Sequence, residues 1–214
     1  MTAPATRVGR NPVGQARTRL ARQAVIGAAR TLFGERGYQA TTIEAISVLS
    51  DVPPATVYRL FVSKLGILKA LLDVSIAGDD QRASVSERPE VSALLAENDS
   101  AKLLRAFTDL VVAINIRTND VYRVLSNAAA SDTGAKALFA DYQKQRAQGQ
   151  RNIARRVTRT NGLRPGLRER DVADLIHAFM SPELFRLLVA DRGWTPERYQ
   201  KWLTQTITHQ LTTP

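Results

Sequence analysis

The sequence predicts an all-α protein, with an N-terminal three-helix head followed by a larger C-terminal helical domain. Three observations carry that prediction. Apolar residues recur at helical spacing nearly throughout the chain. The segments between them begin and end on helix start and stop signals. Positive charge is concentrated at one end, which sets a small unit apart from a larger one. No internal repeat or low-complexity tract interrupts the pattern, and the length of 214 residues suits one or two domains.

Residues 1–16 read as a basic flexible arm, polar and without the apolar centre of a secretory signal. The first helix is expected from about Arg17 to Arg36, on the spacing of Val25, Ala28, Ala29, Leu32 and Phe33. Gly37 then stops it as a left-handed C-cap residue. Thr41 and Glu44 have the spacing of a capping box, so a short second helix begins there and runs to about Leu49. A third starts near Pro54, a residue suited to a first helical position because no amide hydrogen is needed there, and ends near Phe61. Ser63 caps a fourth, from Lys64 to about Ile76. Residues 17–77 therefore form the head, and the polar stretch Gly78–Pro89 connects it to a domain spanning 90–214. Helices are expected there near 91–97, 100–117, 119–130, 134–160, 169–190 and 196–211. Asn161-Gly162 and Arg164-Pro165-Gly166 break the chain before the last two, and Pro182 either kinks its helix or splits it, with Ser181 capping the second half.

Composition narrows the chemistry. There is no cysteine, so disulfides, thiolate zinc sites and cysteine nucleophiles are excluded, which fits a reducing cytoplasm. No uncharged run approaches the roughly 18 residues needed to span a bilayer, and Leu110–Ile116 is far too short, so no membrane role is expected. With only His177 and His209, and no phosphate loop, dinucleotide fingerprint or histidine cluster, neither a cofactor nor a metal is expected. Asp171 and Asp174 are one turn apart, but helix starts are commonly acidic because of the macrodipole, so an enzyme is the weaker reading. Residues 1–70 hold ten Lys/Arg against three Asp/Glu, whereas the rest of the chain is nearly balanced. Such a segment favours a polyanionic partner through phosphate contacts and counterion release; on charge alone, a basic tail on a soluble protein is an equal alternative.

A helix-turn-helix needs a small residue inside its first helix, a sharp turn about four residues later, and an apolar wedge in its second helix. Ser47, Asp51 and Val57 stand at those places, with Ile43, Ile46, Val52 and Phe61 completing the buried side. Asp51 replaces the expected glycine, but aspartate tolerates left-handed geometry better than most residues. Spacing alone also fits a plain helical packing unit.

The run AARTLFGERGYQATTIEAI, followed by SDVPPATVYRLFVSKLGILKALL, resembles the DNA-binding head of the tetracycline-repressor (TetR) family. Ala29, Leu32-Phe33, Glu35, Gly37-Tyr38, Thr41-Thr42, Ile43, Ile46, Val52, Thr56, Tyr58, Phe61, Ser63-Lys64 and Leu68 carry the match. SPELFRLLVADRGWTPERYQKWL looks like that family's closing helices. The resemblance implies a homodimer on double-stranded DNA, each head placing Pro54–Leu60 in the major groove of a palindromic operator. It also implies release by a small-molecule effector, with repression the commoner mode.

On that basis the DNA-facing set is Arg17, Thr41, Thr42, Pro54, Ala55, Thr56, Tyr58, Arg59 and Lys64. Thr42, Tyr58 and Lys64 are assigned to phosphates, and Ala55 and Thr56 to base edges. Arg59 reaches either guanine or a phosphate. Three departures bear on the contacts: Pro53 removes a capping serine, Ala55 replaces a frequent glycine, and Leu60 replaces a frequent histidine. The arm, with Arg7, Arg10, Arg17 and Arg19, either offsets that loss in the minor groove or is a solubilising tail. Polar residues on otherwise apolar helices are the candidates for lining an effector pocket: Asn115, Arg117, Tyr122, Asn127, Tyr142 and His177. Leu175, Phe179, Leu184, Leu187, Leu188, Trp202 and Leu203 form the expected dimer interface, with packing inside one monomer as the alternative. A regulator whose large domain binds a protein partner instead of an effector is a further alternative.

Overall fold

The computed structural model describes residues 12–78 and 88–213. Ten α-helices follow one another among them: α1 (Pro12–Ala40), α2 (Ile43–Ser50), α3 (Pro54–Phe61), α4 (Lys64–Ala77), α5 (Pro89–Ala96), α6 (Ser100–Ala129), α7 (Thr133–Val157), α8 (Glu169–Phe179), α9 (Pro182–Phe185) and α10 (Pro196–Leu211). The all-α class expected from the periodicity is what the chain adopts. The chain divides into two compact units between Leu71 and Leu72, a boundary that falls within α4. No described helix is long and apolar enough to cross a membrane.

The first unit is built around Val25, Ala29, Phe33, Ile46, Val57 and Ile67, all essentially excluded from solvent. Removing that apolar surface from water is what holds the head together, since helices as short as α2 and α3 would not be stable alone. α1 begins at Pro12, earlier than the expected Arg17, so the last residues assigned to the arm are helical. Arg7 and Arg10 lie outside the described residues. Helical geometry in α1 breaks at Gly37, whose φ of 78° and ψ of 169° are open to a residue without Cβ. This is a positive-φ break with extended ψ rather than the αL cap expected there.

The second unit is a bundle. α6 and α7 form an antiparallel pair joined across Ala130–Asp132, with Asp132 accepting the Ala135 amide to start α7. α8 and α10 close the core around Leu103, Leu104, Ile176, Tyr199, Leu203 and Ile207. Two expectations change here. The helices placed at 100–117 and 119–130 are one continuous α6, because Thr118-Asn119 contains no breaker and Thr118 donates back to the Ile114 carbonyl (2.8 Å) within a regular helix. The segment around Pro182 is split: α8 ends at Phe179, and the Ser181 side chain accepts the Leu184 amide (3.1 Å) to start α9, as its capping position predicts. α9 then widens into a π-helical stretch, Arg186–Asp191.

Candidate nucleic-acid interface and core polar cluster

In the head, α2 and α3 meet across the turn that the spacing predicts. Ser47 is buried, and its hydroxyl donates across the turn to the Val52 carbonyl (2.6 Å). Asp51 takes the left-handed conformation at φ 52° and ψ 34°. Val57 is fully buried, and with Phe61 one turn later it fixes the inward side of α3. That phase leaves Pro54, Ala55, Tyr58 and Arg59 on the uncovered side, with Thr56 half-buried. Pro53 offers no side-chain cap, as its chemistry requires; its carbonyl instead accepts from Thr56 (2.8 Å) and Val57 (3.1 Å). Thr42, not Thr41, is the N-cap of α2: its side chain accepts the Ala45 amide at 3.1 Å and is exposed. Its hydroxyl proton is left for an outside acceptor at the positive end of the helix.

Two residues of the expected DNA-facing set have other work. Thr41 is fully buried, and its hydroxyl lies 2.8 Å from the Gly37 carbonyl and 3.2 Å from that of Leu32, so it is not a DNA-facing side chain. The Lys64 ammonium donates to the carbonyls of Tyr38 (2.8 Å), Thr41 (2.9 Å) and Gln39 (3.3 Å) and lies 4.4 Å from the Tyr38 ring centroid. An ammonium has three donors, and all three are committed. Lys64 thus ties the start of α4 to the end of α1, neutralising carbonyls that a helix end leaves orphaned. The point-charge role on DNA expected for it gives way to this clamp. Arg17 is exposed on α1, and Arg22 lies over the Phe61 ring at 4.8 Å.

α3 joins α4 through a strained corner. Val62 has φ 67° and ψ −41°, and the Ser63 amide donates to the Phe61 carbonyl at 2.7 Å, closing a γ-turn. The same carbonyl sits where a Cβ on Gly66 would be, 2.0 Å away, so this approach of α4 to α3 requires glycine.

In the second unit the candidate pocket residues separate into three groups. Asn115, Tyr122 and Tyr142 are buried. Asn127 is exposed, because five residues after Tyr122 it points roughly 140° away around α6; it is a surface residue. Arg117 reaches back to α4, where its guanidinium donates to the carbonyls of Ser75 (3.1 Å) and Ile76 (3.0 Å), so it caps that helix and does not line a pocket.

Tyr122 and Tyr142, with His177 exposed on α8, join a polar cluster that includes residues the sequence reading missed. The Tyr122 hydroxyl donates to Glu183 and accepts from Gln143 (3.4 Å). Burial, followed by the hydrogen bond to Glu183, pushes the Tyr122 phenol far above its ordinary value. Its ring packs against Phe139 (5.6 Å) and Tyr142 (5.8 Å). Arg146 donates to Gln143 (3.2 Å) and to His177 Nε2 (3.3 Å). Arginine has no acceptor, so His177 Nε2 carries the lone pair, and Nδ1 donates to Gln150 Oε1 (2.8 Å). Burial and the adjacent Arg146 charge hold His177 below the ordinary histidine value. Arg146 and Gln150 follow Tyr142 at steps of four on α7, a helical polar stripe that was open to reading. Asp171 is spent on the first turn of α8, accepting the Arg168 amide (3.0 Å), and Asp174 pairs with Arg170 (3.8 Å).

Of the expected interface residues, Leu203 is fully buried within its own unit and has no surface to offer a partner. Leu175, Phe179, Leu184, Leu188 and Trp202 pack half-buried against the core, and Leu187 is 49% exposed.

Residues 25–71 match the family described as "Bacterial regulatory proteins, tetR family". No curated protein sequence matches the chain significantly. Solved structures share its fold across nearly their whole length. NalD of Pseudomonas aeruginosa, the secondary repressor of the MexAB-OprM multidrug efflux pump, has TM-score 0.64 and 21% identity, covering 91% of this chain and 98% of its own. The ketosteroid transcriptional regulator KstR2 of Mycobacterium tuberculosis has TM-score 0.61 and 18% identity, covering 90% and 95%. A transcriptional regulator from Saccharomonospora viridis in complex with choline has TM-score 0.67 and 18% identity, covering 91% and 98%. Residues 25–71 of the first unit thus match the model of that family, and the whole chain shares the fold of these solved structures.

Proposed function

We propose that this chain is a ligand-responsive repressor: a cytoplasmic homodimer that occupies a palindromic operator and is released by a small molecule held in its second unit. The observation that carries the DNA-binding half is the uncovered side of α3. Val57 and Phe61 anchor the helix inward, while Ala55, Tyr58 and Arg59 are exposed on its outward side. The basic balance of the head supports the same reading. Two copies of α3 would meet successive major grooves, about 34 Å apart. The half-buried apolar side chains on α8, α9 and α10, with exposed Leu187, support a partner copy against those helices. An effector acts here only through different affinity for the DNA-matched and unmatched arrangements. Structural neighbours that include a choline complex support a small-molecule role for the larger unit.

Fluorescence anisotropy on duplex fragments selected from the organism's own genome tests this, read across roughly 50–200 mM salt. Tyr58→Phe removes one hydroxyl from the outward face and should weaken binding to all duplexes about tenfold, the value of one hydrogen bond to a charged group. Arg59→Ala separates its two assignments. Loss of a phosphate contact lowers the salt slope by about one, whereas loss of a guanine contact relaxes sequence preference at one position. Unchanged affinity and slope in both variants would remove α3 from the interface.

A further inference from the structure

Resting on the effector-binding reading above, we infer that the second unit takes a carboxylic acid with an apolar body, its carboxylate held between Asn115 and Arg146. Asn115 is 3% exposed, and its Nδ2 has no hydrogen-bond partner. Arg146 Nη1 is likewise buried and unpartnered. Both orphans are donors, and what each lacks is an acceptor. Among the described residues the contacts of Arg146 are Gln143 and His177, neither of them a carboxylate. Arg146 is half-buried with its Nη1 wholly enclosed; an enclosed guanidinium nitrogen without an acceptor is costly, and a charge-assisted bond to an oxyanion is the interaction that relieves it.

The helix register brings the two donors to within one turn of each other. Tyr122 on α6 meets Tyr142 and Gln143 on antiparallel α7. Asn115 lies two turns before Tyr122, about 10 Å along the axis, and Gln150 lies two turns beyond Tyr142, about 12 Å. Asn115 is therefore level with Gln150, and Arg146 is one turn away. From α8, His177 braces both α7 residues, accepting from Arg146 and donating to Gln150. Toward the other end of the same face, the rings of Tyr122, Phe139 and Tyr142 form an apolar group suited to a hydrocarbon or aromatic body. The carboxylate in the cluster, Glu183, accepts from the Tyr122 hydroxyl and is exposed, so solvent screens it from the proposed anion.

The test is a thermal-shift and calorimetric titration of the full chain with benzoate, phenylacetate, 4-phenylbutyrate and octanoate, each beside its amide and its amine. At least one acid should raise the melting midpoint, with its amide at least tenfold weaker and its amine inert. Asn115→Leu and Arg146→Met should each cost the acid at least tenfold in affinity, with Arg146→Lys restoring part of it. Asn115→Asp keeps the shape of the side chain and supplies an internal carboxylate; it should abolish acid binding with the helical circular dichroism of the parent, and it stands in if Arg146→Met does not fold. No response to all four acids, amides or amines equalling them, or full affinity in the variants would overturn the inference. Duplex binding is measured in parallel. Release from DNA by amines or amides, but not acids, would leave the proposed regulator standing and defeat only the acid assignment. Intact duplex binding with no response to any compound would defeat the ligand-responsive reading as well.

Discussion

Replacing Lys64 with methionine distinguishes a structural clamp from a phosphate ligand, because the two roles leave different signatures. Methionine keeps most of the apolar stem and removes only the ammonium. The clamp then loses its bonds to the Tyr38, Gln39 and Thr41 carbonyls and its place over the Tyr38 ring. A single hydrogen bond to a charged group is worth about 1.5–3 kcal/mol, and three sharing one ammonium do not add. Lys64 is half-buried, so water replaces part of what is lost. The net cost is about 2 kcal/mol, which in a chain of this length lowers the melting midpoint by roughly 4–8 °C. On the clamp reading, the slope of log affinity against log salt should remain that of the parent. Differential scanning calorimetry and salt-series anisotropy read the two quantities separately. An unchanged midpoint with a slope reduced by about one would refute the clamp and return Lys64 to the phosphate backbone.

The corner between α3 and α4 yields an opposed pair. Gly66→Ala gains about 1 kcal/mol of helix propensity, yet its Cβ would meet the Phe61 carbonyl oxygen at 2.0 Å. The clash should win by about 1–3 kcal/mol in urea unfolding. Val62→Gly removes a β-branched residue from φ 67° and should stabilise by about 0.5–1 kcal/mol after the entropy of the added glycine is subtracted. His177 should titrate below the ordinary value near 6.5 in an NMR pH series, because of burial and Arg146, with Glu183 and Asp174 opposing more weakly. Above that value both folded and unfolded chains hold it neutral. As pH falls below it the unfolded chain takes up the proton first, so stability declines there. Arg146→Met should raise the folded value and shrink that decline; an unmoved resonance would discount the pairing.

What the sequence disclosed was local geometry. Ser47, Asp51 and Val57 lie within one short stretch, and each has a side-chain property that its position demands, so the helix-turn-helix was legible. Ser181 before Pro182 was legible for the same reason. Lys64 was not, because the carbonyls it binds lie 23 to 26 residues earlier and any residue supplies a carbonyl. Thr41 and Thr42 are adjacent and chemically alike, and only the path of the chain after Gly37 decides which of them caps α2. Arg117 looked like a pocket residue because it interrupts an apolar pattern; its length lets it serve the end of another helix. Leu203 and Trp202 differ by one helical step, enough to place one wholly inside and leave the other half outside. Asn115 was legible as an oddity, but that its amide lacks an acceptor depends on what α7 brings opposite it.

The wide turn at Arg186–Asp191 has a consequence for how the chain tolerates changes of length. A π-type turn closes its hydrogen bonds over one residue more than an ordinary helical turn. Deleting one residue there can restore regular winding, whereas the same deletion in α10 would rotate Tyr199 and Leu203 out of the core. Single-residue deletions should therefore survive in this short span and fail in the helix that follows.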